Sequence, residues 1–371
     1  MVIKHPAPGR TRSLLNLAAG AVLLVALSGG TTFGAQAEFL HAGSPNAPLL
    51  FCVGLHIEPL GARMSSLAFE ADLLASPGLP WLAGGQLSNP GQDYNDPQFF
   101  LLHLGTITSL INIIENHSGK LTIQAQTPFT RLAATLNIPL FAGAAVQGHE
   151  IALHFHEESH LGNDCNTLPQ SIWVAVMREE IDWIRAAGGR DIRYWSGGNL
   201  YPHILEAAAG VGLEVMSDYK NPKTQKSDPR LLAVNPWRPA GGPTADNLDD
   251  FVRHDPSGKI IYLPDGVFAG DDFRERKAEG EAAYFAYMTD GLDRSLRAAR
   301  RDRVNVFHLT VHPGEFRGAN RQEPFAVVDR WLSEVVDPLV RDGRVRWATF
   351  SEMADAFRAW ERSHPGTDPR K

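Results

Sequence analysis

Residues 148–164 read "GHEIALHFHEESHLGND", and whether they form a helix or a strand decides the fold. Positions 156–160, "HEESH", fit H-E-x-x-H, the pattern that sets two histidines on one face of a zinc-peptidase helix. Positions 154–156, "HFH", instead set two histidines at the spacing of one strand face. Upstream, Ile151, Leu153 and Phe155 alternate with Ala152, His154 and His156, a period of two. Downstream, Gly162, Asn163 and Asp164 stop any helix within a turn. The longer peptidase pattern fails too: its glycine comes one residue early and no third histidine follows. The run is read as a strand that carries His154 and His156 on one face, with Glu158 and His160 in the loop leaving it.

Similar short runs recur along the chain, among them "LLFCVGLHIE", "GKLTIQAQTPF", "DIRYWSGG", "GLEVMSD", "KIIYLPDG", "RVNVFHLTVH" and "RVRWATFSE". Helical patterns separate them at Gln98–Asn116, Pro169–Ala187, Tyr201–Gly210, Ala278–Arg301 and Pro324–Arg341, with glycine stops at Gly188 and Gly210. Seven or eight β units alternating with helices predict an α/β fold, a distorted (β/α)7–8 barrel in a single domain. Asn221–Arg253, rich in Pro, Gly and Asp, reads as a long loop excursion.

Two other strands end like the first. "GLHIEP" places His56 and Glu58 at i and i+2, and "VFHLTVHPGEF" places His308, Thr310 and His312 on one face. Ionisable groups at the carboxyl ends of barrel strands are aimed at the active-site face. Neutral imidazoles and carboxylates together suit a divalent metal, with zinc the leading choice. His154, His156, His160 and Glu58 are the metal-ligand candidates. His308, deeper in its strand, reads as a satisfied core histidine, and Asp265 as a turn residue. His103, His117 and His203 read as surface or packing histidines.

The chain opens with "MVIKHPAPGRTR", continues through the apolar "LLNLAAGAVLLVAL" and reaches Ala35-Gln36-Ala37. A charged start, an apolar middle and an A-x-A site predict a secretory signal over residues 1–37, cleaved after Ala37. The apolar run, ~14 residues, falls short of the ~20 that a spanning helix needs, so no stable membrane insertion is expected. The barrel domain is expected over 38–362 and a disordered tail over 363–371. A net charge of −7 without a Lys/Arg run argues against nucleic acid as a partner. Cys52 and Cys165 make no disulfide framework; one bridge or two free thiols are both open.

With these residues placed, the sequence resembles the polysaccharide deacetylase family, the NodB-homology domain, from roughly Leu49 to Phe357. "GHEIALH" is similar to the family's G-H-E-I-x-x-H, "GKLTIQAQTPF" to its second strand, "RYWSGG" to its R-x-P-Y-like segment, and "VHPGEF" to its late H-P-W-E strand end. The resemblance implies a divalent metal and hydrolysis of an N- or O-acetyl group on a glycan or small acylated substrate. In the family an Asp of the first motif is the base, a second Asp and two histidines hold the metal, and a late histidine is the acid. Here the base position is His56, the following acidic position is Glu58, and the second metal-histidine position is Glu158.

The implied roles are therefore His56 or Glu58 as base, His312 as acid and Glu315 as its orienting partner. Arg193, Trp195 and Asp218 are the substrate-binding candidates, with plain packing an open alternative for Trp195. A secreted or periplasmic deacylase is the leading reading. A degenerate glycan-binding barrel is the second, and a glycosidase using Glu58 and Glu315 is the third. If the leader is processed as expected, N-terminal sequencing of the exported protein should begin at Glu38; export with residues 1–37 intact would contradict this reading.

Overall fold

Strand β1, Leu49–Ile57, has the sequence LLFCVGLHI and is buried on both faces, as a central parallel strand must be. The computed structural model describes residues 47–57, 97–161, 165–197, 201–217, 227–244, 246–268, 279–313 and 325–371, all within one compact unit, Ser44–Lys371. The expected leader, Glu58, Gly162–Asp164, Asp218 and Glu315 lie outside the described residues, as does the side chain of Glu158.

From β1 the chain passes through α1 (Pro97–Asn116), β2 (Leu121–Ala125), α2 (Phe129–Thr135), α3 (Leu140–Val146) and β3 (Glu150–His154). Next come α4 (Glu157–Leu161), α5 (Gln170–Ala186), β4 (Tyr194–Ser196), α6 (Ile204–Gly210), β5 (Val215–Ser217) and β6 (Ile261–Tyr262). After α7 (Glu281–Ala298) and β7 (Asn305–Val311), helices α8 (Ala326–Trp331) and α9 (Asp337–Arg341) flank a π-helical turn, Leu332–Val336. Strand β8 (Val345–Trp347) and α10 (Phe350–Ser363) complete the described elements.

All eight strands belong to one sheet in the order β6-β5-β4-β3-β2-β1-β7, with β8 also on β1. Every ladder is parallel. Leu49–Phe51 pair with both β7 and β8, so β8 occupies the lower part of the edge whose upper part takes β2. Single hydrogen bonds join the β6 and β7 ends of the sheet: His308 N–H donates to Asp265 O (3.0 Å) and Val306 N–H to Val234 O (2.7 Å). The result is the distorted (β/α) barrel expected from the sequence, in a single domain.

Strand alternation divides the core in two. Leu49, Phe51, Val53, Leu55 and Ile57 pack with the helices in the outer core. Leu50 and Cys52 instead join Ala152, Tyr194, Val215, Ile261, Leu263 and Val306 inside the barrel. Helix α10 closes the amino-terminal end of that interior. Thr349 and Glu352 form a capping box at its start, and Phe350, Met353, Ala354 and Phe357 enter the inner cluster at helical spacing.

Two details differ from the sequence reading, and the question left open there about the cysteines is answered. Residues 150–154 are a strand, but Glu158 and His160 stand on a one-turn helix, α4, rather than in a loop. Pro324–Arg341 is interrupted by the π turn. Helix α6 ends at Gly210 as expected, with Gly212 (φ +88°) the left-handed residue just beyond it, and Gly188 (φ +99°) closes α5. Cys52 and Cys165 are free buried thiols: Cys52 lies inside the barrel against Thr122 (3.4 Å) and Cys165 in the outer core.

Helix α1 is apolar and long enough to cross a membrane by length and composition, yet Phe100, Ile107, Leu110, Ile111 and Ile114 are buried in the outer core. Its carboxyl end is tied down by His117, whose Nδ1 lies 2.8 Å from Asp337 and Nε2 2.9 Å from Asp329. Burial favours neutral imidazole, but the two carboxylates outweigh it and hold the pKa above its ordinary value. An imidazolium donating to both carboxylates therefore joins α1 to the helices on either side of the π turn. A histidine with a raised folded pKa adds stability below its unfolded pKa and loses it as pH rises through the folded one. Urea unfolding should show His117→Leu less stable than wild type by ~1 kcal/mol near pH ~6, with the gap closing at alkaline pH. A gap that is constant or widens with pH would contradict the clamp.

Candidate active site

The inner-face parity fixed by β1 carries upward through Gly54 to His56. Gly54 pairs with Thr310, Leu55 with Val311, and His56 with Gln124, so the last inward residue of β1 stands beside the top of β2 and close to His312. On β3 the same parity runs Ala152, His154, and His154 pairs with Ser196 of β4. Ser196 pairs in turn with Ser217 of β5. The carboxyl rim of the barrel is therefore a band of imidazoles and hydroxyls.

Its centre is the Ser196 hydroxyl, fully buried, 2.8 Å from His154 Nδ1 and 3.0 Å from His56 Nε2. One hydroxyl can donate to one imidazole nitrogen while accepting from another, so Ser196 couples the proton positions of the two rings. The rings of His56 and His154 stack, with centroids 4.0 Å apart and planes at 29°. His312 meets His56 edge-on at 5.2 Å, and His156 meets His154 edge-on at 4.7 Å. His56 and His154 are buried, while His156 and His312 are half-buried at the mouth.

Beneath the rim lies a neutral polar layer. Tyr194 OH bonds the Ser217 hydroxyl and lies 3.4 Å from Gln124 Oε1. Gly54 leaves room for this layer: a Cβ there would lie 2.5 Å from Gln124 Nε2 and 3.1 Å from Thr310 Oγ1. His308 is buried lower down, its Nε2 3.3 Å from the Leu263 carbonyl and its ring edge-on to Phe350 at 4.6 Å. Asp265 Oδ1 stands 3.5 Å from the same nitrogen, so this aspartate adjoins the barrel interior as well as its turn.

Three sequence candidates are placed elsewhere. His160 is turned away by α4: its Nδ1–H donates to the His156 carbonyl (2.7 Å) and its ring stacks on Phe155 at 4.5 Å. Its Nε2 lies 3.7 Å from Glu180 of α5. Burial raises the Glu180 carboxyl, but His160 and the Thr127 hydroxyl and N–H outweigh it, leaving the pKa below the ordinary carboxylate range. His160 thus braces α4 against α5. Arg193 precedes β4 at the opposite, amino-terminal end, where it pairs with Asp355 (2.6 Å) and Glu214 (2.9 Å). Those partners hold its pKa above the ordinary arginine value. Trp195 has outward parity and is buried in the helix-facing core.

Glu150, in the G-H-E part of the motif, also sits at the amino-terminal end. It accepts from Thr122 (2.9 Å) and from the Ser351 N–H (3.2 Å) and hydroxyl, while burial pushes its carboxyl pKa up. Its work is to join β3 to the start of α10.

Among the described residues no three His, Cys, Asp or Glu side chains form a cluster able to hold a metal ion. His154 and His156, edge-on to each other at 4.7 Å, are two imidazoles of the kind that ligate zinc. His56 does not share that ion in this setting: stacked rings keep their lone pairs in separate planes. In donor chemistry His154 and His156 suit a divalent metal, while the acidic donor expected from the sequence, Glu58, lies outside the described segments.

No protein-family model matches the chain, and no curated protein matches it in sequence. Solved structures do match. A protein assigned as a polysaccharide deacetylase from Mycobacterium smegmatis superimposes with a TM-score of 0.52 at 16% identity, over 88% of this chain and 97% of that one. One similarly assigned from Pseudomonas aeruginosa PAO1 gives 0.53 at 16%, over 86% and 93%. The PuuE allantoinase gives 0.53 at 15%, over 91% and 100%. The fold is the polysaccharide-deacetylase barrel. At these identities the likeness is one of fold.

Ser196 was not among the sequence candidates; its signal was parity, since in "YWS" the inward positions are Tyr194 and Ser196. Ser196→Ala should shift the ring ¹⁵N resonances of both His56 and His154 and leave those of His117 in place. It should also lower stability by about 1–3 kcal/mol, as loss of a buried hydrogen-bond partner does. Unmoved His56 and His154 signals would contradict the coupling.

Proposed function

We propose that this protein is a secreted, metal-dependent hydrolase that removes acyl groups, chiefly acetyl, from a carbohydrate or a related acylated substrate. The observation that carries the reading is the meeting of His56, His154, His156 and His312, contributed by three strand ends, at one rim of the barrel. The fold shared with proteins assigned as polysaccharide deacetylases supports the reaction class by analogy.

In this reading His154 and His156, with Glu58, hold a divalent ion, zinc being the choice that imidazole and carboxylate favour. When bound, the ion supplies Lewis acidity toward the acyl oxygen and an acidified water. The chain's own groups do the rest. His56, oriented through Ser196, takes the proton of the attacking water, a role Glu58 is placed by sequence to share. His312 returns a proton to the departing amine or alcohol, and Glu315 follows it closely enough in sequence to orient it. The half-buried rim exposes His156 and His312 to substrate while His56 and His154 stay fixed beneath.

A glycan-binding barrel without turnover is the second reading, and it is favoured by the lack of a three-group metal cluster among the described residues. Acetate release from a panel of acetylated sugars separates the two. The purified protein should release acetate, and His312→Ala should lower turnover by about 10²–10⁴ with no change in melting temperature, the usual worth of a general acid. Glycan binding without acetate, or reducing-sugar release without acetate, would overturn the deacylase reading.

A further inference from the structure

Strand β2 carries a column of carboxamides into this site. Thr122 faces the barrel interior, where its hydroxyl meets Cys52. Two residues on, Gln124 faces the same way, beside Tyr194 and over Gly54. Gln126 continues the series. Ala125 before it packs in the outer core, and Thr127 after it sends both its N–H and its hydroxyl to Glu180 on α5. Gln126, between two outward neighbours, therefore turns inward. Ala125 pairs with Ile57 on one side and Leu153 on the other, so Gln126 follows at the level of His154.

Gln126 is fully buried, and among the described residues neither its Oε1 nor its Nε2 has a hydrogen-bond partner. Gln124 Nε2, one step deeper in the column, is in the same condition. A buried amide left unpaired costs about 1–3 kcal/mol per group, and native interiors rarely keep such groups without a use. Exchanging the Gln126 amide oxygen and nitrogen would not alter the argument, because both ends are unpartnered and either orientation presents one acceptor and one donor.

We infer that Gln126 is a specificity-determining residue whose carboxamide oxygen accepts the N–H of the substrate's acylamino group, which makes the preferred substrate an N-acyl amide rather than an O-acyl ester. The inference rests on the deacylase reading of the same rim. A secondary amide is planar and trans, with N–H and C=O on opposite edges, so one carboxamide cannot take both. The discriminating contact is the one to N–H, because the ester oxygen in its place has no proton to give. The carboxamide NH₂ of Gln126 then donates to a neighbouring oxygen of the substrate. Among the described residues the acceptor is already unpaired in the free protein, so an N–H that reaches it gains a hydrogen bond that the ester oxygen cannot make.

A matched pair of probes tests this: methyl 2-acetamido-2-deoxyglucoside and methyl 2-O-acetylglucoside, which differ at one atom of the acyl link. Calorimetric titration of the full chain should show the acetamido probe bound tighter by about tenfold or more. Gln126→Met should remove that preference by weakening the acetamido probe alone, and Gln126→Glu, which keeps the acceptor, should retain it. Without ligand, Gln126→Met should melt no lower than wild type. Equal affinity of wild type for both probes, binding of neither, an equal loss on both in Gln126→Met, or a marked drop in its melting temperature would each overturn the inference. Acetate assays run in parallel keep the two readings apart. A preference for the acetamido probe without acetate release sinks the hydrolase and keeps Gln126, whereas equal binding and equal acetate release from both probes does the reverse.

Discussion

A side chain on a β-strand can face only one of two sides, and this constraint builds both the core and the site. In β1 the odd positions from Leu49 to Ile57 serve the helical layer and the even positions serve the interior, so His56 is committed to the barrel as firmly as Leu50. The parallel ladders then align the strand ends. His56 stands beside Gln124, His154 beside Ser196, and Ser196 beside Ser217. A one-residue slip in any ladder would send an imidazole into the outer core and an aliphatic group into the rim.

Polarity increases toward one end of the interior. The amino-terminal end is plugged by Phe350 and Phe357 of α10, the middle carries neutral groups such as Tyr194 and Gln124, and the carboxyl end carries the histidines. Buried polar groups are tolerated where they bond one another, and Ser196 with His56 and His154 is such a set. Gln126 departs from that pattern, and departures of this kind gather where a protein meets a ligand. Stability is supplied away from the rim, by the outer core, by the capping box of α10 and by the His117 clamp on α1.

The eight strands were legible in the sequence because apolar alternation and glycine stops are local signals. The rim histidines were legible for the same reason: His56, His154 and His312 share parity with the interior residues before them. What escaped depended on where short elements end. Strand β4 begins at Tyr194, so Arg193, quoted within the same run, belongs to the opposite end of the barrel with Glu214 and Asp355. Trp195 looked like a groove residue by size, yet its parity sends it outward, and the quieter Ser196 takes the rim. His160 lost its place because Glu157–Leu161 winds one helical turn, which five residues of sequence do not announce. The carboxamides Gln124 and Gln126 were not among the sequence candidates; in the structure Gln126 is marked by a buried side chain with both amide atoms unpartnered among the described residues.

The central proposal is that the rim where three strand ends deliver imidazoles holds a cation on His154 and His156, with His56 beside them. Titrating the metal-free protein with zinc while following the histidine ring ¹⁵N signals tests it most directly. The account predicts that one equivalent of zinc shifts His154 and His156 together, perturbs their neighbour His56 and leaves His160 and His117 unmoved. Zinc that moves His160, or that moves none of the rim histidines at one equivalent, would contradict it.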